Sequence, residues 1–201
     1  MVQYKKQKIK EIIDIAAIEV FSEKGYQNTK ISDISQKSGV SVGNIYRYYK
    51  GKEEIFYKLI SEEFISSLKK ILTDKIVTWK HNNENPDPKK QSLLIDQYLN
   101  FITDNREILI ILLTGSQGTK YEYFKDDMIN YLLNTFLVNF ESRINMLKND
   151  NINLFRIIYE KHIELVASLL SNVREKEEIR NMIEFTNKYH VYGITSFLEN
   201  K

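Results

Sequence analysis

The sequence of 201 residues has no cysteine, only three histidines, two prolines and seven glycines. Without cysteine, the chain has no disulfide, no thiolate nucleophile and no Cys-ligated zinc or iron–sulfur centre. The histidines are scattered and lack further ligands at metal-binding spacing, so we expect neither a metal nor another cofactor. This composition is typical of a protein from a reducing compartment.

Long apolar runs are also missing. The longest, residues 108–113, is much shorter than the roughly 20 residues that span a bilayer. Near the N-terminus, Glu11, Asp14 and Glu19 interrupt the apolar residues, so no signal peptide is predicted. Motifs of nucleophilic or metal-assisted catalysis, such as G-x-S-x-G or paired histidines, do not occur. We therefore predict a cytoplasmic protein that has no membrane partner and is not an enzyme.

Basic residues are concentrated near the N-terminus. Residues 1–58 carry 11 Lys or Arg and 7 Asp or Glu, whereas residues 59–201 carry 18 and 20, within a net charge of +2. Such an excess is either a solvated helix face or an electrostatic surface for phosphate. Charge alone does not distinguish the two.

The hydrophobic pattern predicts an all-α protein, because apolar residues return every three or four positions and no alternating strand pattern is sustained. A polar, proline-containing loop is predicted at residues 81–90. The segment 114–119 is either a helix-breaking loop or, less in keeping with its spacing, a phosphate loop. The predicted helices cover residues 3–24, 31–38, 41–49, 52–78, 90–103, 105–113, 121–147, 152–173 and 175–199.

The second and third of these helices have the spacing of a helix-turn-helix. Gly39 permits the tight turn between them, and Ile34, Val40, Ile45 and Tyr49 are expected to form a small core. The third helix is then free to enter a major groove, where base edges and phosphates can be contacted. Its segment is rich in small, polar, basic and aromatic residues: Ser41, Gly43, Asn44, Tyr46, Arg47, Tyr48, Lys50 and Lys52. A purely structural helical hairpin is the alternative.

The segment NTKISDISQKSGVSVGNIYRYYKGKEEIF, residues 28–56, resembles the DNA-binding region of TetR-family transcriptional regulators. The similarity covers about residues 5–60. It implies that Thr29 and Tyr46 contact phosphate and that Tyr48 and Lys52 clamp the DNA backbone, while Tyr49 is core. It also implies a groove-facing set of Val42, Gly43, Asn44 and Arg47. The sequence departs from the family at Tyr49, where Phe is usual, and at Gly51, where Ser or Asn is common.

We predict a helix-turn-helix domain at residues 1–51 and a helical effector-binding and dimerisation domain at residues 52–201. Apolar stripes on the last two helices fit a four-helix interface between two copies. The residues expected there are Ile158, His162, Leu165, Leu169, Met182, Ile183, Ile194 and Phe197. His162 is an interface or core histidine in this interpretation.

A small, mostly apolar effector is expected in the second domain. The residues proposed to line its site are Phe64, Leu68, Phe101, Met128, Thr135 and Asn139. Thr135 and Asn139 interrupt an apolar run and either bond to neighbouring helices or backbone, or contact the effector.

The leading hypothesis is therefore a repressor that binds palindromic operator DNA as a homodimer and is released by its effector. The alternative is a helix-turn-helix DNA-organising or adaptor protein whose C-terminal domain binds a protein. A closed apolar cavity favours the first hypothesis, and an exposed hydrophobic patch outside the dimer interface favours the second. A helical hydrolase would require a convergent acid and base inside the cavity.

Overall fold

The computed structural model describes residues 2–84, 87–144 and 150–199, and all regular elements in these residues are α-helices. The all-α prediction is confirmed. None of the helices in these ranges has the length and apolar content needed to cross a membrane. The helices are α1 (Val2–Asn28), α2 (Ile31–Ser38), α3 (Val42–Ile45), α4 (Lys52–Leu59), α5 (Glu62–Glu84), α6 (Pro88–Asp104), α7 (Arg106–Thr114), α8 (Phe124–Ile144), α9 (Asp150–Asn172) and α10 (Lys176–Glu199).

The first of two compact units comprises Met1–Ile65 and Glu107–Phe124. The apolar stripe of α1 is buried in it, and α1 packs against α2 and α4. The rings of Phe21 and Phe56 meet edge to face with centroids 5.4 Å apart. This division by packing differs from the predicted boundary after residue 51, because α4 and the segment around α7 pack with the N-terminal helices.

Gly25 interrupts α1 directly after residue 24, where the first predicted helix ends. Its φ of 73° and ψ of 162° lie outside the helical region, and the next residue, Tyr26, donates its amide to the Gly115 carbonyl at 2.7 Å. A Cβ on Gly115 would lie 3.2 Å from the Gly25 Cα, so the two backbones meet at closest approach. Residues 115–119 form a loop after α7, which confirms the helix-breaking interpretation of this segment.

The predicted single helix over residues 52–78 is wrong, because the chain breaks between α4 and α5. Ile60 ends α4 with φ −108° and ψ 78°. The Ser61 hydroxyl then accepts the Phe64 amide at 3.2 Å, and the acidic residues that follow suit the positive end of the α5 dipole. Ser-Glu-Glu is an N-terminal helix signal that lies inside an uninterrupted apolar pattern.

The predicted loop at residues 81–90 is mostly helical, and its middle, residues 85–86, lies outside the described residues. Helix α5 continues to Glu84, and α6 begins at Pro88. The Asp87 side chain accepts the amides of Lys89 and Lys90 at 3.1 and 3.2 Å. Proline is well tolerated in the first turn of a helix, so here it starts α6 instead of extending a loop.

The second compact unit comprises Ser66–Arg106 and Lys125–Lys201. Helix α10 packs against α6 and α9. Aromatic side chains fill the interior: the ring of Phe136 lies 4.8 Å from Phe140 and 5.1 Å from Phe155, and Trp79 stacks on the same group. Such rings contribute a large part of the apolar area that stabilises a unit of this size.

Candidate nucleic-acid interface

Helices α2 and α3 form the predicted helix-turn-helix. Gly39 ends α2 in a left-handed conformation, with φ 69° and ψ 6°. Helix α3 begins after Ser41, whose carbonyl accepts the amides of Asn44 and Ile45 at 2.9 Å. It is shorter than the predicted range of 41–49, since it continues beyond Ile45 as hydrogen-bonded turns to Tyr49.

A small core fixes α3 against the rest of the unit. Ile34 and Ile45 are fully buried, and Tyr49 is 2% exposed. The Tyr49 hydroxyl donates to the Asp14 carboxylate on α1, and the Lys58 ammonium on α4 donates to both groups. Burial and the Asp14 charge raise the pKa of Tyr49, which keeps its phenol protonated as a donor. The hydroxyl that distinguishes Tyr49 from the usual Phe thus ties α1, α3 and α4 together.

The segment 41–50 presents its polar residues on the outside of this core. Its exposed residues are Ser41, Val42, Gly43, Tyr46, Arg47 and Lys50, while Asn44 and Tyr48 are half-buried. A Cβ on Gly43 would meet no protein atom within 4 Å. The segment thus offers amide, guanidinium, hydroxyl and ammonium donors beside open space, which are the groups that bind base edges and phosphates.

The basic residues of this unit differ in how far they are neutralised. Lys24 pairs with Asp33 at 3.0 Å, and Lys37 pairs with Glu19 at 2.7 Å. Arg47 and Lys50 take part in none of the ion pairs among the described side chains. Their charge is therefore available to an anionic partner at the exposed end of α3.

Thr29 does not fit its predicted phosphate contact. Its side chain is 1% exposed, and its hydroxyl donates to the Gly25 carbonyl at 2.7 Å. This hydrogen bond instead holds the backbone together after the break at Gly25. The prediction is wrong for this conformation because the hydroxyl is needed to bond a backbone carbonyl near the end of α1.

Lys52 does not have the geometry of a phosphate clamp either. Its ammonium donates to the carbonyls of Tyr26, Gln27 and Thr29 at 2.7, 3.2 and 2.9 Å and lies 4.4 Å from the centre of the Tyr26 ring. Burial lowers the pKa of Lys52. The three carbonyls use its three N–H donors, so Lys52 joins α4 to the end of α1 instead of facing solvent.

The predicted dimer residues are divided by the structure. Ile183 and Ile194 are 0% and 3% exposed and belong to the core of the second unit, so their assignment to the interface is wrong. Leu165 and Met182 are 45% and 37% exposed. Ile158, His162 and Leu169 are half-buried, His162 against the His190 ring, and the side chain of Phe197 lies outside the described residues.

The most exposed apolar residues of α10 are not the predicted ones. Phe185, Tyr189 and Tyr192 are 74%, 75% and 71% exposed and follow one another at intervals of four and three residues. Their spacing is the signal that sequence analysis missed, because aromatic residues at helical spacing are more often core. They flank a groove of about 670 Å³ between α9 and α10, lined by Leu154, Phe155, Ile158, Phe185, Lys188, Tyr189, His190, Tyr192, Gly193 and Ile194.

The six predicted effector residues lie on α5, α6 and α8, and none of them lines the groove between α9 and α10. That they form one site stays a prediction. Leu68 and Met128 are buried. Thr135 donates to the Tyr131 carbonyl and Asn139 to the Thr135 carbonyl, both at 2.8 Å. The polar pair therefore bonds to its own helix, which was the alternative considered for it.

A helix-turn-helix with a buried core and donors exposed on its second helix defines a DNA-binding protein of the helix-turn-helix class. Residues 13–59 match the family described as bacterial regulatory proteins, tetR family. The resemblance to TetR-family transcriptional regulators is confirmed for residues 13–59, which are similar to the DNA-binding region of that family.

The similar proteins are regulators. The chain is 30% identical over 110 residues to the fatty acid metabolism regulator protein of Bacillus subtilis, covering 53% of this chain and 52% of that protein. It is 27% identical over 119 residues to an HTH-type transcriptional regulator of Staphylococcus aureus, covering 58% and 57%. The matches thus span about half of the relatives' length.

Two solved structures have a similar fold. A TetR-like transcriptional regulator from Rhodococcus sp. RHA1 has a TM-score of 0.57 at 19% identity, covering 93% of this chain and 96% of that one. The transcriptional regulator FadR from Bacillus subtilis, in complex with stearoyl-CoA, has a TM-score of 0.52 at 19% identity, covering 91% and 98%. At this level of sequence identity, the similarity is evidence for the fold alone.

Proposed function

We propose that the protein is a transcriptional repressor that binds palindromic operator DNA through residues 41–50 and is released by a small, mostly apolar effector. The observation that supports this proposal most strongly is the exposed set around Arg47, on α3 and the turn that follows it, which the Tyr49, Asp14 and Lys58 contacts anchor. A rigid base lets a few side chains read DNA in a fixed register. The regulator names of the similar proteins point the same way.

The proposed repressor acts as a homodimer. One α3 reaches one major groove, and successive grooves on one side of DNA lie about 34–36 Å apart, so a palindromic site requires two copies. We place the interface on the exposed apolar stripe of α10, Phe185, Tyr189 and Tyr192, together with Leu165 on α9. Such contiguous apolar exposure is uncommon unless another protein surface covers it.

The effector is proposed to carry an aliphatic chain. Similar proteins bear the name of a fatty acid metabolism regulator and of a regulator in complex with stearoyl-CoA. In this chain the groove between α9 and α10 is lined mainly by aromatic and aliphatic side chains. An aliphatic molecule fits such surroundings because apolar surface leaves water when it binds.

Fluorescence anisotropy tests the repressor proposal on a duplex selected from a random library. Adding dodecanoyl-CoA is expected to weaken operator binding about 5- to 150-fold, the usual range of coupling between two sites. Coenzyme A alone, which lacks the aliphatic chain, is the control and should have no effect. If none of several fatty acids and acyl thioesters changed the operator affinity, aliphatic effectors would be excluded.

A DNA-binding adaptor is the second candidate, and the same exposed stripe on α10 favours it. A protein partner would then cover Phe185 and Tyr189 in place of a second copy. Light scattering separates the two candidates, because the adaptor is expected to be monomeric at micromolar concentration and the repressor dimeric.

A further inference from the structure

The second unit holds a cluster of half-buried basic side chains that the proposed DNA contacts do not use. The Lys75 ammonium on α5 donates to the Asn187 side-chain oxygen on α10 at 2.7 Å and lies 4.2 Å from the centre of the Tyr98 ring on α6. The rings of His162 on α9 and His190 on α10 stack with centroids 4.1 Å apart. Three helices thus contribute the three nitrogen bases, and α6 adds the Tyr98 ring.

No carboxylate balances this cluster among the described side chains. Lys75, His162 and His190 appear in none of the ion pairs there, and neutral groups, Asn187, Tyr98 and the Tyr159 ring, surround them. An ammonium group with one amide acceptor and an aromatic face has donors left for an anion. A lysine that packs between helices seldom lacks a counter-charge unless it has a function.

The protonation equilibria agree with a missing counter-charge. Burial lowers the pKa of Lys75 to about 7. Burial, and then repulsion by Lys75, lowers the pKa of His190 to about 4. For His162, burial followed by repulsion from His190 and Lys75 lowers the pKa to about 2. An anion beside the cluster would raise all three pKa values, and Lys75, whose pKa lies nearest to neutral pH, would be the first to regain its charge.

Apolar surface adjoins the cluster on one side. His190 is itself one of the residues that line the groove between α9 and α10, where Phe155, Ile158 and Ile194 are its neighbours. An aliphatic chain placed against these residues would bring a terminal charged group to His190. The combination of an apolar wall and a cationic end is complementary to an amphipathic anion.

We propose that Lys75, with His162 and His190, binds the anionic head group of an aliphatic molecule. This inference deepens the proposed effector and rests on the proposed function. Two sources share the chemistry, the carboxylate of a fatty acid and a phosphate of an acyl-CoA. A neutral molecule of equal chain length gains nothing from the cluster.

Trp79, the single tryptophan of the chain, reports on binding because it lies one helical turn after Lys75 on α5. We would titrate the full chain at pH 7 with dodecanoate, dodecanoyl-CoA and dodecan-1-ol and follow its fluorescence. Lys75→Met should weaken one of the two anions at least tenfold and leave dodecan-1-ol unchanged. Lys70→Met, at an exposed lysine of the same helix, is the matched control and should change none of the three.

The wild-type chain supplies a second readout that does not depend on a variant folding. Calorimetry in two buffers of different ionisation enthalpy measures proton uptake. The groups that face one another are Lys75, Tyr98, Tyr159, His162 and His190, and at pH 8 only Lys75 is poised to gain a proton from a bound anion. Anion binding is therefore expected to take up protons at pH 8 and to weaken from pH 7 to pH 9.

The outcomes of these experiments decide the proposal. A Lys75→Met effect on dodecanoate identifies a carboxylate site, and an effect on dodecanoyl-CoA alone identifies a phosphate. Equal losses for the anions and the alcohol, or anion binding without proton uptake at pH 8, would overturn the anion site. Operator affinity measured on the same samples keeps the two claims apart: an anion that binds without changing it supports the site and removes that anion as effector.

Discussion

Arg47 is the side chain most directly placed to read a base. It is exposed on the turn that follows α3 and forms no ion pair with the described side chains. A bidentate arginine contact to guanine distinguishes bases by about 1–3 kcal/mol, so Arg47→Ala should lose about that much operator affinity and accept altered base pairs. Anisotropy with the operator and its single-pair variants measures this loss. Arg174→Ala, at an exposed arginine of the other unit, is the control. If Arg47→Ala kept both the affinity and the base specificity of the wild type, the proposed docking on DNA would be contradicted.

Lys52 is expected to stabilise the fold. Its ammonium bonds three backbone carbonyls, and hydrogen bonds to charged groups contribute more than neutral ones. Lys52→Ala should therefore lower the free energy of unfolding by about 1–3 kcal/mol, as measured by urea denaturation. Lys50→Ala, at an exposed neighbour, should change it by less than about 0.5 kcal/mol. If Lys52→Ala had wild-type stability and its DNA binding depended less on salt, Lys52 would be a phosphate contact after all.

At the scale of elements, two glycines end helices in different ways. Gly25 has φ 73° and ψ 162°, a region that is almost exclusive to glycine, and a Cβ there would lie 3.4 Å from the Gly115 carbonyl oxygen. Gly39 is in the left-handed helical region, which asparagine tolerates, and has open space around it. Gly25→Ala should cost about 2–3 kcal/mol of stability and Gly39→Asn under about 1 kcal/mol. Thermal unfolding of both variants checks the order, and equal costs would contradict it.

The helix-turn-helix could be predicted from the sequence because local signals agree there. Gly39 lies after a short apolar pattern, and Ile34, Ile45 and Tyr49 have the spacing of a small core. Each of these signals acts within a few residues, where backbone preference and hydrophobic periodicity determine the structure. The exposed residues between 41 and 50 follow from that core, because the opposite side of a short helix is left for solvent.

The roles of Thr29 and Lys52 could not be predicted from local signals. Both bond to backbone carbonyls near the end of α1, and these partners are recognised only when the chain is folded. The break after Ile60 was missed because the apolar pattern continues through it, although Ser61 is an N-cap residue. Lys75 bonds to Asn187, and His162 stacks on His190, across helices that are far apart in sequence, which periodicity cannot show.

The whole-molecule prediction concerns the proposed dimer. Tyr189 is 75% exposed on α10, so Tyr189→Glu should place an unpaired charge in the interface and produce folded monomers that bind the operator poorly. Ile183 is fully buried within the chain, so Ile183→Glu should unfold the protein instead. Light scattering gives the oligomeric state, and circular dichroism gives the helical content.

Tyr123→Glu is the matched control for the dimer prediction, since Tyr123 is 68% exposed in the other unit. It should remain dimeric. If Tyr189→Glu and Phe185→Glu also remained dimeric, the interface would lie away from the exposed stripe of α10.

Selection of duplex DNA from a random library by the full chain tests the DNA-binding role most directly. A repressor with two copies of α3 should enrich a palindrome whose half-sites are centred about 10–10.5 base pairs, or a multiple of that distance, apart. Selection with Arg47→Ala should broaden the half-site sequence. An even distribution of sequences after repeated selection at about 0.15 M salt, or the same enriched motif from both chains, would contradict base reading by this helix.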